Sequence, residues 1–255
     1  MAKVIVIAGE SATGKSTSYC SVNLPEAGIH IEWLNPAETF LIYSIDNEVP
    51  VENGDSLFPL FTIDPATGVP VKGGRRIISH NYTEIYGIID FISNIERIKN
   101  IVVDDAQYLL SLDFLERKNE EGFSKYAKMG FSFIDLVVRL RNLPQDKIVF
   151  ILMHTDEYQN GEELFMKLKT IGKMIDEKFT LEGFFSVILS SRKKFNKLKK
   201  KVEYRFNTVP QFEKDITKSP IGLFMTDKGQ ILEEVPNDLG IVRSKILKYW
   251  PNTTK

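Results

Sequence analysis

Cysteine is almost missing from this sequence, with Cys20 the only one in 255 residues. A lone thiol excludes intrachain disulfides and any cysteine-built metal site, and it fits a reducing compartment such as the cytoplasm. Excess charge is missing as well. With a net of −1 the chain is no polycation, so any contact with nucleic acid must come from a local patch. No apolar run approaches the roughly 18 residues that span a bilayer, which predicts no membrane partner. Met1, Ala2 and Lys3 run straight into a β-branched stretch, leaving no room for a cleavable leader. Internal repeats and low-complexity tracts do not occur. These absences leave a chain long enough to bury a sizeable α/β core.

What is present starts at Lys3–Ala8, K-V-I-V-I-A, a strand-like run followed by G-E-S-A-T-G-K-S-T. The second stretch comprises Gly9, Glu10, Ser11, Ala12, Thr13, Gly14, Lys15, Ser16 and Thr17. It fits G-x-x-x-x-G-K-[ST], in which each fixed residue has a mechanical reason. The two glycines let the backbone turn successive N–H groups inward as a phosphate cradle. Lys15 is placed to reach the β and γ phosphates, and Ser16 to give its hydroxyl to Mg²⁺. A helix over Ser16 to Val22 would put its positive dipole end under the anion. On that helix Cys20 reads as a small core hydrophobe.

Pro25 to Pro36 reads as an irregular connection, its lone His30 a loop residue. A second strand is expected over Thr39 to Ile45 and ends at Asp46, Asn47 and Glu48. Acids beyond a strand's carboxyl end can reach a γ phosphate or its attacking water, although a solvated turn explains the same letters. Val49 to His80 predicts a long loop or small β excursion over that face. Ile85, Ile88, Ile89, Ile92 and Ile95 give a helix over Thr83 to Ile95.

Lys99 to Asp105, K-N-I-V-V-D-D, is an apolar run ending in acid. Asp104 would hold Mg²⁺ through water, completing what Ser16 begins, and Asp105 could orient the attacking water. Helices are expected over Ala106 to Arg117 and Lys125 to Asn142, then a buried strand over Lys147 to Met153. His154 at its end can sense the γ phosphate, or simply cap the strand. Asp156 to Lys178 is polar and should line the same face.

Two β-rich runs, Phe184 to Ser190 and Val202 to Phe206, flank R-K-K-F-N-K-L-K-K-K. Seven of these ten residues are basic, and removing their charge from a net of −1 leaves −8 on the rest. A basic hairpin tip is predicted, with Arg192, Lys193, Lys194, Lys197, Lys199, Lys200 and Lys201 facing a polyanion and Phe195 available for base stacking. A solvated lysine-rich turn is the plainer alternative. Pro236, Asn237 and Asp238 should cap a last helix over Leu239 to Tyr249, and Lys218 is a candidate phosphate contact, toward its own site or a neighbouring subunit's.

The order of strand, phosphate loop, strand ending in acid, helix, I-V-V-D-D and strand ending in His-Thr resembles the RecA-like branch of P-loop ATPases. More narrowly, A-G-I-H-I-E-W-L-N-P-A-E-T-F, V-V-D-D-A-Q-Y-L, K-T-I-G-K-M, K-S-P-I-G and V-P-N-D-L resemble a family of phage-encoded RecA-like ATP-binding proteins, over nearly the full chain. The resemblance implies a single RecA-like domain, with a mostly parallel sheet flanked by helices over about residues 1–190 and a β-rich extension over about 184–255. It implies an ATPase using ATP and Mg²⁺, with Lys15 and Ser16 on phosphate and metal and Asp104 behind the metal. It further implies a ring or filament of identical subunits acting on single-stranded DNA in phage recombination, annealing or replication, in the host cytoplasm.

Two departures from that pattern leave roles open. Asp105 stands where a glutamate is common, so Glu48 and Asp105 are rival bases, and the basic hairpin has no counterpart to map onto. A small-molecule or nucleotide kinase shares the loop but needs lid arginines, and Val49 to His80 offers only Arg75 and Arg76. An ATP-gated adaptor such as a helicase loader is a third reading. The guanine-reading N-K-x-D pattern and the L-S-G-G-Q signature of transporter cassettes are both absent.

Overall fold

The computed structural model describes residues 1–20, 23–24, 29–30, 34–64, 70–71, 73–122, 124–171, 180–198 and 200–251. Lys199 of the basic stretch and Val22, the expected end of the helix after the loop, lie outside the described residues. The strands are β1 (Lys3–Ala8), β2 (Asn23–Leu24), β3 (Ile29–His30), β4 (Thr39–Tyr43), β5 (Arg76–Ile78), β6 (Asn100–Asp104), β7 (Ile148–Met153), β8 (Thr155–Asn160), β9 (Glu163–Leu168), β10 (Val187–Asn196), β11 (Lys201–Asn207) and β12 (Glu234–Pro236). The helices are α1 (Gly54–Leu57), α2 (Tyr82–Ser93), α3 (Gln107–Glu116), α4 (Ser124–Asn142) and α5 (Leu239–Tyr249).

Eight strands form one sheet in the order β12-β11-β10-β1-β7-β6-β4-β5. The pairs from β10 to β5 are parallel, and β10/β11 and β11/β12 are antiparallel. The fold is therefore α/β, with a mostly parallel central sheet and added antiparallel strands. Every residue of β4, β6 and β7 is buried, which is why each reads as an unbroken apolar run rather than an alternation. One face packs on α2, α3 and α4, with Ile85, Ile89, Ile92, Leu109, Phe133 and Val137 among the contacts. The other packs on α5 and the Ser16–Tyr19 turn through Val242, Ile246 and Tyr19. No described helix is long and apolar enough to cross a membrane.

The helices begin where side chains satisfy their first N–H groups. Asn81 accepts from Thr83 N and Glu84 N at the start of α2, and Asp238 accepts from Gly240 N and Ile241 N at the start of α5. The expected helix after the loop is a correction. It is one 3₁₀ turn, Ser16–Tyr19, and Cys20 is already extended, with ψ 144°. Ser18 Oγ donates to the Lys15 carbonyl at 2.5 Å, a side-chain bond that competes with helix propagation, and Tyr19 is drawn wholly into the interior. Little macrodipole is left at the loop, because one turn aligns few peptide units. Cys20 is fully buried, and burial raises its thiol pKa, as suits a core residue.

Other differences are local. Part of the connection before Pro36 pairs as β2 with β3, and the Val49 to His80 stretch contains α1 and the edge strand β5. The polar segment after His154 forms the antiparallel hairpin β8/β9.

Candidate functional site

Parallel strands all point the same way, so the carboxyl ends of β1, β4, β6 and β7 open on one edge, where ligands of such sheets bind. Gly9, Ser44, Asp105 and His154 are the residues that follow those ends. The loop from Gly9 to Thr17 is anchored at its base by Gly9 N donating to Met153 O at 3.2 Å. A Cβ at Gly9 would lie 2.7 Å from Ser191 O, and one at Gly14 would lie 2.4 Å from Asn237 Nδ2. Gly14 also has φ +88°, so both space and backbone demand glycine there.

The loop is clamped from outside by distant parts of the chain. Ser191 Oγ donates to Thr13 O at 2.8 Å, and Asn237 Nδ2 donates to Thr13 O at 3.2 Å and Gly14 O at 3.0 Å. Inside the loop, Thr13 Oγ1 donates to Glu10 O, while Lys15 Nζ donates to Gly9 O at 3.0 Å and Glu10 O at 2.8 Å. Lys15 is buried. Burial lowers its pKa, opposed by the carboxylates of Asp105, Asp104 and Glu10. Glu10, Ser11 and Ala12 are exposed at the rim, and Ser16 and Thr17 are half-buried.

Ser16 Oγ donates to Asp104 Oδ1 at 3.1 Å. Tyr19 donates to Asp104 Oδ2 at 2.8 Å, and its hydroxyl meets that of Tyr43 at 2.6 Å. Ser44 Oγ donates to Asp104 O at 3.2 Å. Burial, and next the Asp105 charge, push the Asp104 carboxyl up to about 6. Among the described residues no group of three or more His, Cys, Asp or Glu could hold a metal. Ser16 and Asp104 are hard oxygen donors, and an ion there would complete its shell with phosphate and water oxygens. Magnesium is usually held that way, so these residues fit it.

Asp105 has φ +54°, a left-handed turn that swings its side chain off the strand. Gln107 Nε2 donates to Asp105 Oδ1 at 3.2 Å, and His154 Nε2 lies 3.4 Å from the same oxygen. Gln107 Oε1 in turn accepts from His154 N at 3.1 Å. Burial pushes the Asp105 carboxyl up, but the bonds from His154 and Gln107 and the charges of His154 and Lys15 outweigh it, and its pKa is lowered. Asp105 is thus an ionised, oriented acceptor beside Lys15. Glu48 is exposed in the loop past β4, and among the described residues no hydrogen bond or ion pair joins it to the phosphate loop.

The basic hairpin exists, but its residues divide. Its strands are β10 and β11, which extend the central sheet, and alternation sorts the side chains onto two faces. Arg192 and Lys194 pair across with Arg205 and Glu203, while Lys193 and Phe195 pair with Tyr204 and Val202. Residues of both faces, Lys193 and Phe195 as well as Arg192 and Lys194, line an open cavity of about 800 Å³ shared with Glu157, Phe212 and Glu234. Arg192 donates to Glu157 at 2.5 Å, so it is committed within the chain, contrary to its expected place on a polyanion. Lys193, Lys194, Lys197, Lys200 and Phe195 are exposed, and Lys201 is half-buried. Lys218 donates to Glu182 O at 2.8 Å.

Sequence reasoning missed Tyr19, Tyr43, Gln107, Ser191 and Asn237 as parts of this site. A signal existed only for Gln107, a polar residue two positions past Asp105 at the entry to a helix. No protein-family model matches this sequence, and no curated protein matches it significantly.

Proposed function

We propose that this protein is a Mg²⁺-dependent ATP-binding protein of the RecA-like type, hydrolysing ATP to ADP and phosphate. We assign it a role with single-stranded DNA in phage recombination, annealing or replication, as a homo-oligomer in the host cytoplasm. The observation that carries the reading is the 3.1 Å contact between Ser16 Oγ and Asp104 Oδ1, directly after Lys15 on a loop whose glycines admit no substitute. It supports a site in which a loop hydroxyl and a strand-end acid share one metal.

Within that site the loop N–H groups and Lys15 hold the phosphates, and Ser16 and Asp104 hold the ion. Held by Ser16 and Asp104, Mg²⁺ would supply positive charge to offset the charge developing on the transferred phosphoryl group. Asp105 accepts a hydrogen bond from the attacking water and orients it in line, while His154 and Gln107 fix the carboxylate. The strand β7, which His154 follows, lies between β1 and β6, so the acid and its histidine approach the loop from one side. This strand order supports the RecA-like reading. The exposed lysines on β10 and at the hairpin tip support the nucleic-acid partner.

Arg76 is buried and paired to Asp55 at 2.7 Å, which removes one of the two candidate lid arginines and leaves the half-buried Arg75. ATP turnover measured with and without single-stranded DNA, alongside a screen of nucleoside and nucleotide acceptors, tests the proposal. Stimulation by DNA with release of free phosphate supports it. Phosphorylation of an acceptor with no response to DNA would mean a kinase, and binding without turnover would mean a nucleotide-gated adaptor.

A further inference from the structure

Tyr204 of β11 lies directly opposite Lys193 of β10 and packs on the outside of the phosphate loop. A Cβ added at Gly14 would stand 3.0 Å from Cδ1 and 3.4 Å from Cγ of its ring. The residue is nevertheless 38 % exposed, so one side of the ring borders the loop while another faces solvent. No described group hydrogen-bonds its hydroxyl. Strand alternation puts Lys193, Phe195, Val202 and Tyr204 on one face of the hairpin. That is also the face of Ser191, whose hydroxyl binds the loop at Thr13. Phe195 is 58 % and Val202 40 % exposed, so this face carries further uncovered apolar side chains beyond Tyr204.

We propose that the ring of Tyr204 is the platform on which the base of a bound nucleoside triphosphate stacks. The inference rests on reading Gly9 to Thr17 as a nucleoside-triphosphate site, and it adds what that reading lacks, a residue for the nucleoside end. Phosphates held by the loop N–H groups leave sugar and base at the loop's rim, and Tyr204 is the exposed aromatic ring that borders Gly14. Stacking on a π face accepts any base. The ring therefore contributes affinity for nucleosides over bare polyphosphate, without choosing adenine over guanine.

The test compares direct binding of ATP, GTP and inorganic tripolyphosphate, at one Mg²⁺ concentration, to the wild-type protein, Tyr204→Phe and Tyr204→Leu. Leucine fills the space against Gly14 but offers no flat ring, and thermal melts establish that both variants fold. Tyr204→Leu is expected to weaken ATP and GTP about ten-fold and tripolyphosphate less than two-fold, with Tyr204→Phe near wild type for all three. Equal losses for ATP and tripolyphosphate in the leucine variant would make the ring mere loop packing and overturn the proposal. So would unchanged ATP affinity, or a wild-type protein that binds tripolyphosphate as tightly as ATP. A wild-type protein that binds none of the three would instead overturn the phosphate-loop reading beneath it.

Discussion

Ser16 Oγ donates to Asp104 Oδ1 at 3.1 Å, joining two residues 88 positions apart. The contact arises because β1 and β6 are parallel and end at one edge with only β7 between them. Asp104 has its other oxygen held by Tyr19, itself against Tyr43, so the carboxylate has little freedom to leave this position.

Asp104→Asn should therefore remove Mg²⁺-dependent turnover, by about 100-fold or more, while leaving nucleotide binding in EDTA within a few-fold of wild type. Turnover with increasing Mg²⁺ in both proteins measures this. Retention of full activity in the variant would take Asp104 out of the metal site.

Asp105 and Glu48 make opposite predictions. Asp105 is oriented by Gln107 and His154, and Glu48 is bonded to neither the loop nor the acids. Asp105→Asn is expected to lower kcat about 100-fold, and Glu48→Gln to leave it within two-fold. Collapse of activity in the Glu48 variant alone would show that the loop past β4 closes over the site and that Glu48 is the base.

The pH dependence of stability has a defined sign at Asp104. Its folded pKa is raised from 3.8 to about 6, by burial first and the Asp105 charge second. From about pH 4 to 6 the folded protein keeps a proton that the unfolded chain has released. Stability from this group therefore falls as pH rises through that window, and the cost is complete above pH 6. A rise of two units costs on the order of 3 kcal/mol. In metal-free and nucleotide-free protein, Asp104→Asn loses one of the two acceptors at any pH, but its Tm relative to wild type should improve by about 4 °C between pH 4.5 and pH 8. A Tm difference constant across that range would contradict the assignment.

Replacing Lys193, Lys194, Lys197 and Lys200 with Ala should weaken single-stranded DNA binding. The slope of log affinity against log salt should flatten by about 0.7 for each phosphate that is no longer neutralised. Arg192→Ala, which breaks a pair with Glu157 instead, should leave the slope unchanged. Filter binding across a salt series distinguishes the two. An unaltered slope in the four-lysine variant would return the hairpin to a solvated turn.

Much of the framework is legible in the sequence because buried parallel strands announce themselves: T-F-L-I-Y, N-I-V-V-D and I-V-F-I-L-M are apolar on both faces and end where the polar site residues begin. The loop is legible because its glycines answer a backbone requirement. The short turn after it is not, since S-T-S-Y-C carries hydroxyls that compete for helix carbonyls, and no periodicity reports that. Tyr19 and Tyr43 read as ordinary core residues until the fold sets both phenols beside Asp104. Asn237 is legible only as part of a helix cap, because its bonds to Thr13 and Gly14 exist only once the last strand is in place. An acid at a strand end, such as Glu48, is legible as a candidate, but the direction in which an irregular chain leaves the strand is not.

The clamp by Asn237 also sets an order in time. Gly14 and Asn237 stand 223 positions apart, and at ~5–20 residues per second of synthesis the second follows the first by roughly 10–45 s. Until that interval ends a nascent chain carries its phosphate loop without the full set of Ser191, Tyr204 and Asn237 behind it. The loop is thus made well before the side chains that brace it from outside, and its braced form waits for residues more than two hundred positions downstream.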